Sequence, residues 1–285
     1  MSLGLALAGG GLKGVAHIGA LKALQELGIK IDYISGTSSG SIFAAMYAMG
    51  FSIQEMRDET LAHYKMLTKV TKKPFAIAAV SLATKGVAEI GGLMPSENIS
   101  ELIKTISRDK KMKLMSDVKT PLAITTVDTI STKECIFLSE KCNKKYEDID
   151  YLYNAPIDIA VRSSMSFPGI YTTTNYGKYN FIDGGTKDNL PVSVLKDMGA
   201  QKVIALSFKI DDYEPKEDIL AILLRTVDIF SLQDVRTAQK EADLAIEIDC
   251  QGTSLLEITD ADEVIKTGYN TIMNHKEEIL KLINK

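Results

Sequence analysis

Three short runs of this sequence carry residue types able to do chemistry together. The first, Gly36-Thr37-Ser38-Ser39-Gly40, fits the pattern G-x-S-x-G. Where such a run joins a strand to a helix, the serine sits on a sharp, strained turn that exposes its hydroxyl, and small neighbours avoid clashes. The following helix aims its N-terminal amides and positive dipole end at developing negative charge. Out of context the pentapeptide is equally a Gly/Ser turn without chemistry. In context Ser38 is a candidate nucleophile.

The second run is Gly9-Gly10-Gly11-Leu12-Lys13-Gly14. Glycines let backbone N–H groups approach a ligand closely, and a helix start attracts anions. Two uses compete. Gly9-x-Gly11-x-x-Gly14 satisfies the dinucleotide fingerprint, and the same loop can hold the oxyanion of a tetrahedral intermediate. Dinucleotide binding needs an acidic residue at the C-terminal end of the second strand, to take the ribose. Asp32 has about the right spacing but precedes that strand, whose end is occupied by Gly36-Thr37-Ser38. A nucleotide-binding protein is therefore the distant alternative. No G-K-[S/T] accompanies the glycines, so the loop is not a P-loop.

The third run is Asp183-Gly184-Gly185. A carboxylate at a strand end, followed by two glycines, can be held close to another loop. Burial raises its pKa toward the range of a useful base. The competing reading is an ordinary Asp-Gly turn. The histidines are His17, His63 and His275. None occupies the late loop where an α/β-hydrolase histidine belongs. His17 alone lies near the glycine run, and packing or a helix-terminal hydrogen bond competes for it.

These runs need elements to hold them. Leu3 to Ala8 reads as a buried strand, Val15 to Leu27 as a helix closed by Gly28, Tyr33-Ile34 as a second strand, and Ser39 to Met49 as a helix. Ser52-Ile53-Gln54-Glu55 is a capping box. This β-α-β-α opening predicts a parallel sheet covered by helices. Residues 62–115 predict helices and no sheet strand. They form a cap over a site or a plain helical insertion, with Ile99, Leu102, Ile103 and Ile106 on one face. Leu122 to Asp128 and Glu134 to Leu138 predict a hairpin, as do Tyr171 to Thr174 and Lys178 to Ile182 around Asn175-Tyr176-Gly177. Helices follow at Pro156 to Ser164, Pro191 to Met198 and Ile219 to about Ala242, and strands at Val203 to Phe208 and Leu244 to Ile248. A single amphipathic helix is expected over Glu263 to Ile283.

The 285 residues suit one α/β domain, with no repeat or linker. The net charge of -4 is spread along the chain, which excludes the basic stripe of a nucleic-acid binder. Cys135, Cys142 and Cys250 lack C-x-x-C spacing, which argues against a disulfide framework or zinc site and fits a reducing cytosol. The apolar stretch Phe75 to Ala83 is too short to span a bilayer. No basic region precedes the first apolar run, so no signal peptide is expected. The expected location is cytoplasmic. Lys65 to Ala83, apolar and lysine-flanked, is either a contact for a membrane surface or a solvated face.

Taken in order, Gly9-Gly10-Gly11-Leu12-Lys13-Gly14, Gly36-Thr37-Ser38-Ser39-Gly40 and Asp183-Gly184-Gly185 resemble the patatin-like phospholipase family. Ser163-Ser164-Met165-Ser166-Phe167-Pro168 is similar to the stretch before that family's catalytic aspartate. The resemblance implies a single α/β domain over 1–285, a three-layer α/β/α fold with a mostly parallel sheet. It implies a Ser–Asp dyad without histidine, with Ser38 as nucleophile and Asp183 as base. The amides of Gly10, Gly11 and Leu12 would form the oxyanion hole. Gly9, Lys13, Gly14, Gly36, Gly40, Gly184 and Gly185 would support these motifs. Lys13 stands where the family commonly has arginine, keeping the charge and losing the planar fork. The implied substrates are fatty-acyl esters of phospholipids or lysophospholipids, with no metal or cofactor. Non-lipid esters, thioesters and acyl transfer would use the same dyad.

Overall fold

Leu3–Leu7 form β1, buried along its whole length at the middle of the sheet. A near-continuous apolar run is what a strand covered on both faces requires. Leu5 and Leu7 point into one core layer, Ala6 and Ala8 into the other. The computed structural model describes residues 1–67, 81, 83, 84, 91–210, 219–251 and 260–284.

Within these residues the strands are β1, β2 (Tyr33–Gly36), β3 (Leu122–Asp128), β4 (Glu134–Leu138), β5 (Ile149–Tyr153), β6 (Thr174–Tyr176), β7 (Tyr179–Asp183), β8 (Lys202–Phe208) and β9 (Leu244–Ile248). They form one sheet in the order β5-β4-β3-β2-β1-β8-β9, with the β6–β7 hairpin attached to β3. The β1–β2, β2–β3, β1–β8, β8–β9 and β4–β5 pairs are parallel; β3–β4, β3–β7 and β6–β7 are antiparallel. The sheet is mixed and mostly parallel, as expected.

The helices are α1 (Ala16–Glu26), α2 (Ser39–Ala48), α3 (Ile53–Leu67), α4 (Glu97–Arg108), α5 (Ile157–Ser164), α6 (Val192–Met198), α7 (Ile219–Glu241), α8 (Ala261–Asn274) and α9 (Lys276–Ile283). Helices α1, α2, α4, α5 and α8 bury apolar side chains in the larger core with Leu5 and Leu7. Helices α6 and α7 cover the other face over Ala6, Ala8, Val203 and Ala205. That completes three layers.

One register relation matters most for the site. β2 pairs with β3 at Ile34–Gly36 against Leu122–Ile124 and then ends. β4 occupies the opposite edge of β3 through Val127. β7 therefore takes over the edge that β2 vacates, pairing Asp183 with Thr126. Asp183 thus lies about 7 Å further along β3 than the end of β2, beside the turn that follows Gly36.

Several expectations shift. The hairpin turn lies at Gly177-Lys178, two residues later than Asn175-Tyr176-Gly177 suggests, because Asn175 and Tyr176 pair with Asn180 and Tyr179. The C-terminal helix is two helices, α8 and α9, broken at His275. Strand β5 was not expected at all. The capping box is present: Ser52 N–H donates to Glu55 Oε2 at 2.7 Å, and Glu55 N–H donates to Ser52 Oγ at 3.2 Å. In the 62–115 segment, α4 buries Ile99, Leu102, Ile103 and Ile106 as predicted. Most of Lys65 to Ala83 lies outside the described residues. Among the described residues no helix is long and apolar enough to cross a membrane.

Candidate active site

Ser38 links β2 to α2 with φ 51° and ψ −128°. A non-glycine residue rarely adopts positive φ, and such strain persists only where the surroundings hold it. Here they do. The Ser38 N–H donates to Ser164 Oγ at 2.8 Å, and its carbonyl accepts from the Ser41 hydroxyl at 2.6 Å. Thr37 Oγ1 lies 2.7 Å from Thr125 Oγ1 and donates to the Asp188 carbonyl at 2.8 Å. The flanking glycines allow the turn to close. A Cβ on Gly36 would sit 2.5 Å from the Gly40 carbonyl oxygen, and one on Gly40 would overlap the Leu7 carbonyl.

Asp183 ends β7 and is 1 % exposed. Its own N–H donates to the Ser166 carbonyl at 3.0 Å, tying it to the segment after α5. Oδ1 accepts from Gly185 N–H at 2.8 Å. Oδ2 is buried and completes no hydrogen bond of ordinary geometry among the described residues. Burial pushes the carboxyl up to about 7, against the opposing pull of the Ser38 hydroxyl and the Gly185 N–H. The hydroxyl is thus near enough to favour the carboxylate without a closed bond to Oδ2. Such contacts commonly tighten only when substrate arrives.

The glycine run follows β1 into a 3₁₀ turn at Gly11–Val15. Gly9 N–H donates to the Asn189 carbonyl at 3.3 Å, and Gly10 N–H to Ser39 Oγ at 3.2 Å. The amides of Gly11 and Leu12 open the turn, where the helix itself provides no acceptor. Of the three expected oxyanion donors, Gly10 is therefore engaged by Ser39 in this state. Lys13 is buried. After Lys209, whose hydrogen bond is the main cause, Lys13 helps hold the Asp249 carboxyl below its ordinary value. Asp32 accepts from Leu3 N–H at 3.0 Å, at the opposite end of β1 from the glycines. A ribose bound at the loop is out of its reach.

Ser38, Asp183 and Gly9 to Leu12 line one pocket of about 140 Å³. Asn189 and Gly185 complete its polar floor. The walls are apolar: Ile42, Phe43 and Met46 from α2, Leu102 and Ile106 from α4, and Met165, Phe167, Ile170 and Tyr171 from the segment after α5. Glu59, Thr60 and His63 of α3, Val227, Asp228 and Ser231 of α7, and Val15 and Ser39 form the rest of the lining. His17 is not part of it. It is fully buried, lies 4.9 Å from Phe208 between ring centroids, and bonds the Ala8 carbonyl through Nε2 at 3.0 Å. Burial pushes its pKa down to about 4, so the ring is neutral. Among the described residues no group of three or more His, Cys, Asp or Glu side chains is placed to hold a metal ion.

The fold brings Ser38, Asp183 and the glycine loop together. It also recruits residues given no role by sequence reasoning. Ser164 anchors the strained turn, Ser39 holds the loop, and Asn189 Nδ2 donates to the Gly9 carbonyl at 3.4 Å. Ser164 lies within the Ser163–Pro168 stretch, so its position was marked though its bond was not.

A family model described as Patatin-like phospholipase matches residues 5–196. Over 207 residues the chain is 28% identical to neuropathy target esterase sws of Drosophila melanogaster, covering 72% of this chain and 13% of that protein. It is 27% identical over 223 residues to lysophospholipase NTE1 of Meyerozyma guilliermondii, covering 75% and 13%. The chain thus spans about an eighth of the length of these relatives. It is 26% identical over 215 residues to an uncharacterised NTE family protein of Mycobacterium bovis, covering 75% and 51%. In fold it is similar to VipD from Legionella pneumophila, with TM-score 0.50 at 14% identity, covering 96% of this chain and 66% of that one. It is similar also to the type III effector ExoU, with TM-score 0.50 at 16% identity, covering 97% and 53%.

Proposed function

The chain belongs to the patatin-like phospholipase family, and from that premise we propose that it is a serine acyl hydrolase acting on fatty-acyl esters of phospholipids or lysophospholipids. One observation carries this reading: a strained, anchored Ser38 and a buried Asp183 with an unengaged Oδ2 line the same apolar-walled pocket.

The chemistry follows from these positions. Ser38 Oγ attacks the ester carbonyl as its proton passes to Asp183, forming a tetrahedral intermediate. The Gly11 and Leu12 amides, with the N-terminal end of α2, stabilise the oxyanion. Gly10 joins them if its bond to Ser39 opens. Collapse breaks the carbonyl–alkoxy bond, and the leaving oxygen takes the proton from Asp183. Asp183 then accepts a proton from water as it attacks the acyl-Ser38 ester, and returns that proton to Ser38 Oγ as the acyl–oxygen bond breaks and the fatty acid leaves. The walls from α2 and α4 and the Met165–Tyr171 segment take the acyl chain. Residues 91–115 act in this reading as part of the pocket wall within a single domain.

The test is labelling with a long-chain fluorophosphonate. Wild type should label and Ser38→Ala should not. A panel of acyl esters then separates the lipid reading from hydrolysis of small soluble esters or thioesters, which would show no gain with chain length. Equal labelling of the two proteins refutes the assignment of Ser38.

A further inference from the structure

Helix α7 has two unlike faces. Val227, Asp228 and Ser231 line the pocket, and further along that face Val235 and Ala238 pack over the sheet. At about 100° per residue the opposite face carries Ile222, Ile229 and Phe230. These side chains are 49%, 60% and 68% exposed. Single exposed apolar residues are ordinary on a protein surface. Three within nine positions of one helix, back to back with a substrate pocket, are not scattered.

The charges on α7 are sorted as well. Its basic residues Arg225, Arg236 and Lys240 fall on the outer face with the apolar three. Of its acidic residues, Asp228 lines the pocket, and Asp234 and Glu241 flank the Phe230 edge of the outer face. An apolar patch continued on its Ile222–Ile229 side by cations complements an anionic phospholipid surface, where apolar side chains enter the acyl boundary and basic ones meet phosphate. A protein partner would need neither the sorting nor the position beside the pocket.

We propose that the outer face of α7, centred on Ile222, Ile229 and Phe230, is the surface by which the protein docks on an anionic phospholipid bilayer, bringing the pocket lined by its inner face to the lipid. The proposal rests on the acyl-lipid reading for its purpose, but docking and hydrolysis are measured separately. Docking orients the site; the residues concerned touch no reacting atom.

The experiment uses the full chain and vesicles of phosphatidylcholine, with and without one-third phosphatidylglycerol, in a co-sedimentation assay. Wild type should bind the anionic vesicles. Ile229→Asn/Phe230→Asn should bind about ten-fold more weakly, while hydrolysing a short-chain soluble ester at the wild-type rate. Arg236→Gln/Lys240→Gln should lose the preference for anionic vesicles and much of the salt sensitivity, and it tests the surface even if the apolar pair does not fold. Ile130→Ser, which removes an exposed apolar side chain from the β3–β4 turn, should bind as wild type does. The proposal falls if wild type ignores vesicles, or if both double variants bind them unchanged. It falls too if the apolar pair instead dissociates a lipid-free dimer and leaves vesicle binding intact. Soluble-ester hydrolysis that survives Ser38→Ala would overturn the catalytic reading and leave docking standing.

Discussion

The backbone N–H of Ser38 donates to the hydroxyl of Ser164 at 2.8 Å, so the strained turn is pinned to the end of α5 by a fully buried side chain. Ser164→Ala leaves that N–H without its partner and frees the turn to relax. The expected result is a kcat lowered roughly ten-fold, equivalent to ~1.4 kcal/mol, with KM nearly unchanged. Ser164→Thr, which keeps the acceptor, should recover part of the loss. A role in stability alone would lower the melting temperature and leave kcat of the folded enzyme intact.

In the proposed mechanism Asp183 must be ionised to accept the Ser38 proton, and burial pushes its pKa up to about 7. The acidic limb of the kcat/KM profile is therefore expected to have its midpoint about pH 7 rather than near 4. Below it the rate should fall close to ten-fold per pH unit. Initial rates on a soluble ester between pH 5 and 9 measure this.

The same carboxyl bears on stability. Its folded pKa of about 7 lies above the ordinary 3.8, so stability is fully present below pH 3.8 and is lost as pH rises through 7. The shift corresponds to about 4 kcal/mol of cost for the ionised form above pH 7. Asp183→Asn keeps an acceptor for Gly185 N–H and cannot ionise. It should abolish turnover and melt higher than wild type at pH 8, by calorimetry.

His17 has the opposite slope. Its folded pKa of about 4 lies below the ordinary 6.5, so stability is present above pH 6.5 and is lost as pH falls toward 4. The loss is about 3 kcal/mol over that window. In wild type the Asp183 and His17 slopes oppose each other between pH 4 and 6.5. His17→Gln retains a donor for the Ala8 carbonyl and should leave the Asp183 slope exposed, so that the melting temperature falls as pH rises there. It should hydrolyse esters once folded; loss of acyl transfer with an intact fold would return His17 to the chemistry.

Where burial was continuous, the sequence was easy to read. β3 and β4, buried almost throughout, span Leu122–Asp128 and Glu134–Leu138, the bounds their residues predict. β5 escaped notice because it is half-buried throughout and carries Asp150 between Ile149 and Tyr151. α8 and α9 share one amphipathic pattern, and nothing in that periodicity marks the break at His275. The hairpin was misplaced because Asn175 and Tyr176 read equally as turn and strand; pairing to Asn180 and Tyr179 decides it. At the site, local patterns marked Ser38, Asp183 and the glycine loop. The Ser39 and Ser164 hydrogen bonds join residues 29 and 126 positions apart. Periodicity and motif spacing hold no information about such pairs.

The sharing of one edge of β3 by β2 and β7 sets where this chain tolerates change in length. The distance between Ser38 and Asp183 is indexed by rungs of a hydrogen-bond ladder, not by loop length. Extra residues in the Gly177-Lys178 turn extend the far end of the β6–β7 hairpin and leave the Thr126–Asp183 rung where it is. One residue added within β7 slides the strand by a rung and turns the side chain of Asp183 to the opposite face of the sheet. Deletion and insertion scanning across this region would therefore divide sharply at Tyr179, with silence on one side and loss of the site on the other.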